Sequence, residues 1–242
     1  MADQLAESTH SPSSIRNIVL VHGAFTDGSS WAKIIPLLQA KGYNVVAVQN
    51  PMTSLADEVS ATKRIIALQD GPVLLVAHSW GGVVITEAGD DPKVAGLVYL
   101  TAYSPEAGES ANDASASYGW TEGQKQIRVD SNKFAYVTRE GMLDSIAEGL
   151  PMAERTLALA VQGQSYGPMF DEKITVAAWK GKPTWAVISN KDRMLMPTME
   201  ADMAKRMNAK TTTVDTCHMV ILEAPEAVVA VIDEAAQQAL RS

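Results

Sequence analysis

The sequence has one cysteine, no long apolar run and little positive charge, with 20 Lys and Arg residues against 28 Asp and Glu residues. The single cysteine, Cys217, excludes an intramolecular disulfide framework and a cysteine-based zinc site. Every apolar stretch is shorter than the roughly 18 residues that a membrane-spanning helix needs. The formal net charge of −8 disfavours nucleic acid and anionic membranes as the main partner.

The N-terminal stretch MADQLAESTHSPSSIR is polar and lacks the apolar core of a secretion signal. We therefore expect residues 1–15 to form a flexible leader, and a cytoplasmic location follows as the default. Residues 16–242 contain no internal repeat, low-complexity segment or glycine-serine linker, so we predict a single domain with a substantial core. The sequence does not indicate the oligomeric state.

Short apolar runs alternate with segments of helical periodicity. The predicted strands contain residues 18–21, 43–48, 72–79, 94–103, 182–192 and 210–216, and the predicted helices contain 31–42, 55–69, 80–89, 197–209 and 225–241. This alternation predicts an α/β protein, with a mostly parallel sheet covered by helices on both faces. The alternation stops between about 104 and 178, where helix-like segments at 139–150 and 152–162 indicate a helical cap inserted after the fourth strand. A plain surface elaboration is the alternative.

The stretch VAHSWGGVV, residues 76–84, joins the third predicted strand to the third predicted helix. Ser79 has small residues, Ala77 and Gly81, at both alternate positions, which suits a serine held in a strained bend where larger neighbours would collide. The spacing of a small residue, serine and glycine between a strand and a helix is that of a nucleophile elbow. Because the same spacing also occurs by chance, its position between strand and helix carries the interpretation.

Polar side chains also follow two later strands, at the carboxyl edge where open parallel sheets bind ligands. Asp192 follows the fifth of the predicted strands, and His218 follows the sixth. The chain order of serine, aspartate and histidine is that of an α/β-hydrolase triad. A serine hydroxyl is a weak nucleophile, so it needs a neutral imidazole to take its proton and a carboxylate to orient that imidazole.

The chain has four histidines, and position excludes three of them as the base. His10 lies in the leader, His22 lies in the first loop, where it would brace the turn, and His78 points away from Ser79 along its strand. His218 is therefore the predicted base.

Several carboxylates compete for the role of the acid. Asp192 ends a strand and is separated from His218 by one predicted helix and one predicted strand. Asp215 lies within the strand that carries His218, too near to orient it from behind. Glu106 and Glu109, after the fourth strand, are a further alternative. We predict Asp192.

The oxyanion formed by attack on a carbonyl needs two preorganised N–H donors. The backbone amide of Trp80 in the elbow and that of Ala24 in the loop HGAF are the predicted donors. The cap and the mouth of the sheet offer aromatic and methionine side chains but no basic cluster, so we predict an apolar pocket. Its predicted lining is Phe25, Tyr118, Trp120, Met142, Leu143, Met152, Met169 and Met219.

Four segments, LVHGAFTDGSSWAKIIPLLQAKGYNVVAV, AHSWGG, LVYLTAYSPEAGES and CHMVILEAPEAV, resemble the small α/β-hydrolases that include plant methylesterases, hydroxynitrile lyases and bacterial esterases. The resemblance covers about 22–110 and 183–240, and the cap is only generically similar. It implies the α/β-hydrolase fold, no metal and no cofactor. It also implies a triad of Ser79, His218 and Asp192, with Ala24 and Trp80 as oxyanion donors.

Two positions depart from the family pattern. Ala77 stands where such elbows commonly have glycine, and Met219 and Val220 follow His218, where hydroxynitrile lyases of this type carry a catalytic lysine. The missing lysine favours ester hydrolysis over cyanohydrin cleavage. We predict a serine hydrolase that cleaves a small, mostly apolar carboxylic ester through an acyl-enzyme at Ser79. The alternatives are a lyase or carbon–carbon bond hydrolase on the same scaffold, and a ligand-binding protein that has lost turnover.

Overall fold

The computed structural model describes residues 14–240; His10 and most of the predicted leader lie outside the described residues. The strands are β1 (Asn17–Val21), β2 (Asn44–Ala47), β3 (Val73–His78), β4 (Val94–Leu100), β5 (Ile127–Val129), β6 (Phe134–Val137), β7 (Ser165–Tyr166), β8 (Thr184–Ser189) and β9 (Lys210–Val214). The α-helices are α1 (Ile34–Ala40), α2 (Leu55–Ala67), α3 (Gly81–Ala88), α4 (Ala111–Ser115), α5 (Arg139–Gly141), α6 (Met152–Ala160), α7 (Pro197–Arg206), α8 (Val220–Glu223) and α9 (Pro225–Gln238). None of these helices combines the length and apolar character needed to cross a membrane.

Six strands form one sheet in the order β2-β1-β3-β4-β8-β9. Each neighbouring pair in this sheet is parallel. Of its four inner strands, β1, β3 and β8 are buried along their whole length and β4 is buried except at Ala95, as expected for strands that are covered on both faces. The predicted α/β fold with a parallel sheet is therefore confirmed.

Alternate residues of each strand face opposite sides, so two apolar layers form. On one side, Ile18 and Leu20 of β1 belong to a cluster with residues of α1 and α9. On the other side, Val19 and Val21 belong to a cluster with residues of α2 and α3. Ile15, at the end of the predicted leader, is also fully buried, and its N–H donates to the Ala236 carbonyl at 2.9 Å.

The segment between β4 and β8, which we call the cap, is mixed rather than only helical. It contains α4, α5 and α6 together with a three-stranded antiparallel sheet in the order β5-β6-β7. The predicted helical segment at 139–150 forms α5 and one wide turn (Met142–Ile146), while that at 152–162 forms α6. The cap strands have 3, 4 and 2 residues, too few for an alternating pattern to be visible in the sequence.

The sheet brings the ends of β1 and β3 together. β1 lies between β2 and β3, so the strands that follow β1 in the chain add to the sheet first on one side of β1 and then on the other. Such a switch point opens a crevice at the carboxyl ends of the strands. The loop after β1 and the turn after β3 meet in this crevice. A Cβ atom at Gly23 would lie 2.8 Å from Ser79 Cβ, so only glycine permits this close approach.

Candidate active site

Ser79 occupies a strained turn between β3 and α3. Its φ is +53°, a left-handed conformation that a non-glycine residue adopts at an energetic cost. A Cβ atom at Gly81 would lie 2.5 Å from the Val21 carbonyl oxygen, and one at Gly82 would lie 2.0 Å from that of Tyr103. The two glycines therefore allow α3 to begin directly after the serine, which leaves the Ser79 hydroxyl at the edge of the sheet.

Ser79, His218 and Asp192 form a continuous hydrogen-bonded chain. The Ser79 Oγ lies 2.9 Å from His218 Nε2, and His218 Nδ1 lies 2.6 Å from Asp192 Oδ2. Since a carboxylate only accepts, Nδ1 donates to Asp192, which leaves Nε2 of the neutral ring as the acceptor for the serine hydroxyl. All three residues are buried. The structure thus brings together the three residues that the sequence singled out.

The rival carboxylates lie elsewhere. Asp215 is exposed and accepts a hydrogen bond from Asn190 Nδ2 at 2.9 Å. Glu106 pairs with Lys180, and Glu109 pairs with Arg206. Asp192 instead accepts at Oδ1 from the backbone N–H groups of Met194, at 2.6 Å, and Leu195, at 2.8 Å, which fixes its orientation toward the histidine.

His78 holds the backbone of His218. Its Nε2 donates to the His218 carbonyl oxygen at 2.8 Å, and Thr101 Oγ1 donates to the same oxygen at 3.2 Å. Burial lowers the pKa of His78 to about 3, so its ring is neutral and its Nε2 carries the proton. The sequence excluded His78 as a base but gave no sign of this supporting contact.

Glu200, on α7, lies beside Asp192 and is 3% exposed. Its Oε2 accepts from the Ser189 N–H at 3.3 Å. The pKa of Glu200 is raised well above its ordinary value, mainly by burial and next by the charge of Asp192. Because two adjoining buried carboxylates cannot both ionise cheaply, Glu200 is the neutral member of the pair. Sequence reasoning missed this residue.

The loop after β1 is held by His22. His22 Nδ1 donates to the Gly23 carbonyl at 2.9 Å, and its Nε2 accepts from the Asn50 N–H at 3.0 Å. Ala24 and Trp80 both line the cavity above Ser79. Within the part of the chain that the structure describes, neither backbone N–H donates to another protein group, so both are available to a ligand oxygen.

A second buried carboxyl supports Trp80 from behind. The indole Nε1 donates to Glu58 Oε2 at 2.8 Å, and Glu58 is fully buried on α2. Burial, with a smaller contribution from the nearby charges of Glu172 and Asp57, raises the pKa of Glu58 to about 8, although the bond from Trp80 acts in the opposite direction. The sequence gave no prediction for this residue.

A cavity of about 510 Å³, which we call the main cavity, opens above Ser79 between the sheet and the cap. This volume is in the range of small-molecule sites. Four of the predicted lining residues, Phe25, Trp120, Met142 and Met219, lie on its wall. The structure adds further apolar residues that were not predicted: Ile127, Val129, Ala135, Ile146, Pro168 and Phe170.

A family model described as "Alpha/beta hydrolase family" matches residues 18–231. The chain belongs to the α/β-hydrolase family. It is 29% identical over 232 residues to a "Probable hydrolase R7" of Phoma sp., a match that covers 86% of this chain and 89% of that protein. A match to Methylesterase 7 of Arabidopsis thaliana is 34% identical over 108 residues and covers 38% of this chain and 41% of the relative.

The same fold occurs in the crystal structure of polyneuridine aldehyde esterase, with a TM-score of 0.80 and 17% sequence identity. That likeness covers 91% of this α/β-hydrolase and 99% of the esterase chain. The predicted resemblance to small esterases, methylesterases among them, is confirmed, and the named relatives support ester hydrolysis as the general chemistry.

The other predicted lining residues of this α/β-hydrolase lie away from the main cavity. Tyr118 donates to Asp202 at 2.9 Å and packs against a methionine cluster on α7. Met169 is fully buried in the core beside α2 and α3, because the cap segment that carries it turns inward. Leu143 is buried in the wide turn of the cap, whereas Met152 is 58% exposed at the start of α6.

No group of three or more His, Cys, Asp or Glu side chains within residues 14–240 is arranged to hold a metal ion. The one thiol, on Cys217, is buried, and burial raises its pKa above the ordinary value. It is therefore a protonated, apolar neighbour of His218 rather than an available nucleophile.

Proposed function

We propose that this α/β-hydrolase cleaves a small, mostly apolar carboxylic ester through an acyl-enzyme at Ser79. The hydrogen-bonded chain from Ser79 through His218 to Asp192, at the floor of an apolar cavity, is the observation that carries the proposal. The hydrolase and methylesterase names of relatives in the same family support an ester as the substrate.

In the first half of the reaction, the Ser79 Oγ attacks the ester carbonyl carbon while its proton passes to His218 Nε2. The carbonyl double bond opens to an oxyanion, and the N–H groups of Ala24 and Trp80 donate to it. Asp192 stabilises the positive charge that forms on the imidazole. The imidazolium then gives its proton to the departing alcohol oxygen, and the acyl group stays on the serine as an ester.

In the second half, a water molecule replaces the alcohol. His218 takes a proton from the water as its oxygen attacks the acyl carbon, and the same two amides hold the second oxyanion. Collapse of this intermediate breaks the bond to Ser79 Oγ, which recovers its proton from the imidazolium. The carboxylic acid leaves and the free enzyme is restored.

The lining of the main cavity supports an uncharged substrate. Among the described lining residues, Lys133 and Asp171 are the only Lys, Arg, Asp or Glu side chains, and they have opposite signs. A carboxylate on the substrate would therefore find no pair of cations, whereas an alkyl or aromatic group would find apolar wall. Esters with uncharged acyl and alcohol parts should fit best.

Active-site labelling with a fluorophosphonate tests the nucleophile. We expect the reagent to modify Ser79 alone, because among residues 14–240 only this hydroxyl faces a histidine base, and we expect Ser79→Ala to abolish both labelling and hydrolysis of p-nitrophenyl butyrate. Ser104→Ala is the matched control, since Ser104 is also buried but lies outside the main cavity. Labelling of a different serine by peptide mapping, or full activity in the Ser79 variant, contradicts the proposal.

A further inference from the structure

A second cavity, of about 320 Å³, adjoins the main cavity. Three residues, Thr26, Met142 and Met219, line both cavities and so form the wall between them. The remaining lining of the second cavity comes from the chain before and at the start of α1, from α6 and from α8: Asp27, Ser29, Ser30, Ala32, Lys33, Glu154, Leu157, Ala158, Val161 and Leu222. No residue of the hydrogen-bonded chain at Ser79 belongs to it.

The wall between the two cavities is made of side chains that can move. Met142 and Met219 are 1% and 2% exposed, and they pack in one apolar cluster with Phe25 and Leu150. Methionine is unbranched and has three rotatable bonds, so its thioether adapts to an apolar guest at little cost. Met219 directly follows His218, which places this wall next to the reacting carbonyl.

The far side of the second cavity is apolar and exposed. Leu157 and Val161 of α6 are 61% and 41% exposed, although they line a concave surface. Exposed apolar side chains that lie together on such a surface mark a binding site for an apolar group. The basic group at the rim, Lys33, forms an ion pair with Glu154 at 2.7 Å and donates to the Leu222 carbonyl at 2.9 Å. Its positive charge is therefore paired within the protein.

We propose that the second cavity binds the distal part of an unbranched aliphatic chain whose ester carbonyl lies at Ser79. The chain would pass between Met142 and Met219 and run along α6 toward the Lys33 rim. This inference rests on the proposed function, and it extends the substrate class from small esters to those with a medium-length linear chain. We expect branched or ring-bearing groups to stay in the main cavity, because they are wider than a linear chain.

Variants that fill the second cavity test the proposal. Ala158→Trp and Val161→Trp each place an indole in the second cavity, and neither residue lines the main cavity. Ala160→Trp is the matched control on the same helix, because Ala160 is exposed and lines neither cavity. The measurement is the ratio of kcat/KM for p-nitrophenyl dodecanoate to that for the butyrate, with circular dichroism to verify folding.

We expect both filling variants to lower this ratio at least about tenfold, since several buried methylenes lose their place, and Ala160→Trp to leave it unchanged. An equal ratio in all four proteins overturns the proposal. If the unaltered protein cleaves no ester, the proposed function fails by itself. The second cavity is then tested in the Ser79→Ala chain by calorimetry. Tighter binding of dodecyl acetate than of butyl acetate, lost on adding Ala158→Trp, supports the second cavity, and equal binding overturns it.

Discussion

Two groups of residues, which we call arms, lie on either side of Ser79. Each arm includes a buried glutamate, but the two glutamates face different chemical groups. On one side, His218 and Asp192 are backed by Glu200; on the other, Trp80 is backed by Glu58. Both glutamates are buried, at 3% and 0% exposure, and burial is the main reason that the pKa of each is raised. Each arm thus ends in a neutral carboxyl group inside the protein.

The partner of each carboxyl group separates their roles. Glu200 faces Asp192, the group that would balance the positive charge on His218 during turnover. A substitution of Glu200 should therefore lower kcat. Glu58 faces an indole N–H whose charge never changes. A substitution of Glu58 should therefore change the free energy of unfolding more than kcat. We therefore expect the effect of each buried carboxyl group to depend on the group that it faces.

The largest effect is expected at Asp192 itself. Asp192→Asn keeps the shape but removes the charge that orients the imidazole, and kcat for p-nitrophenyl butyrate should fall by a factor on the order of 10³ to 10⁴. Asp215→Asn is the matched control on an exposed carboxylate, and we expect it to leave kcat unchanged. A large loss in the Asp215 variant, together with a nearly active Asp192 variant, would show that Asp215 rather than Asp192 is the acid.

An intermediate effect is expected at Glu200. Glu200→Leu replaces the neutral carboxyl group beside Asp192 with an apolar side chain of similar size, so Asp192 loses a polar neighbour that can donate to its charge. We expect kcat to fall about tenfold with KM nearly unchanged, because the substrate does not touch Glu200.

Glu200→Gln is the decisive companion, since its amide can donate to Asp192 but cannot ionise. We expect it to restore most of kcat and to keep that activity at alkaline pH. Equal kcat values in the Leu and Gln variants, with both folded, would show that Glu200 only fills space and would break the contrast between the two arms.

The sequence was sufficient for the framework and for the residues that meet at Ser79. Runs such as the one in β3 are apolar throughout, and strands buried on both faces need no more than that to be recognised. Turn chemistry placed the elbow, because Gly81 is required by the close approach of Val21. Chain order, together with the position of each residue relative to the predicted strands, then nominated His218 and Asp192.

The supporting residues depend on packing that a linear pattern shows only weakly. Glu200 and Glu58 both sit on the buried stripes of their helices, with Met199 and Met203 beside one and Leu55 and Thr62 beside the other. A glutamate on an apolar stripe is a signal that could have been used. The cap offered less, since Tyr118 and Met169 face away from the main cavity only because of how the short cap elements turn.

The smallest effect on chemistry is expected at Glu58, where the readout is stability against pH. In the folded protein, the carboxyl keeps its proton up to about pH 8, whereas in the unfolded chain it releases the proton near its ordinary value of 4.5. Between these values the folded state binds more protons, so its free energy of unfolding falls as pH rises.

Glu58→Gln keeps an oxygen for the Trp80 indole and carries no titrating proton. Other ionisable groups are common to both proteins, so they cancel in the difference. We therefore expect the variant to gain stability relative to the unaltered protein from about pH 5 to about pH 8, by up to about 1.4 kcal/mol per pH unit, with kcat changed less than about twofold.

Denaturant unfolding at several pH values measures this difference. Glu226→Gln, at an exposed position, is the control for the loss of one carboxyl group. A stability difference that does not change with pH for Glu58→Gln, or a large loss of kcat, would mean that the Trp80 arm does not hold a neutral carboxyl group.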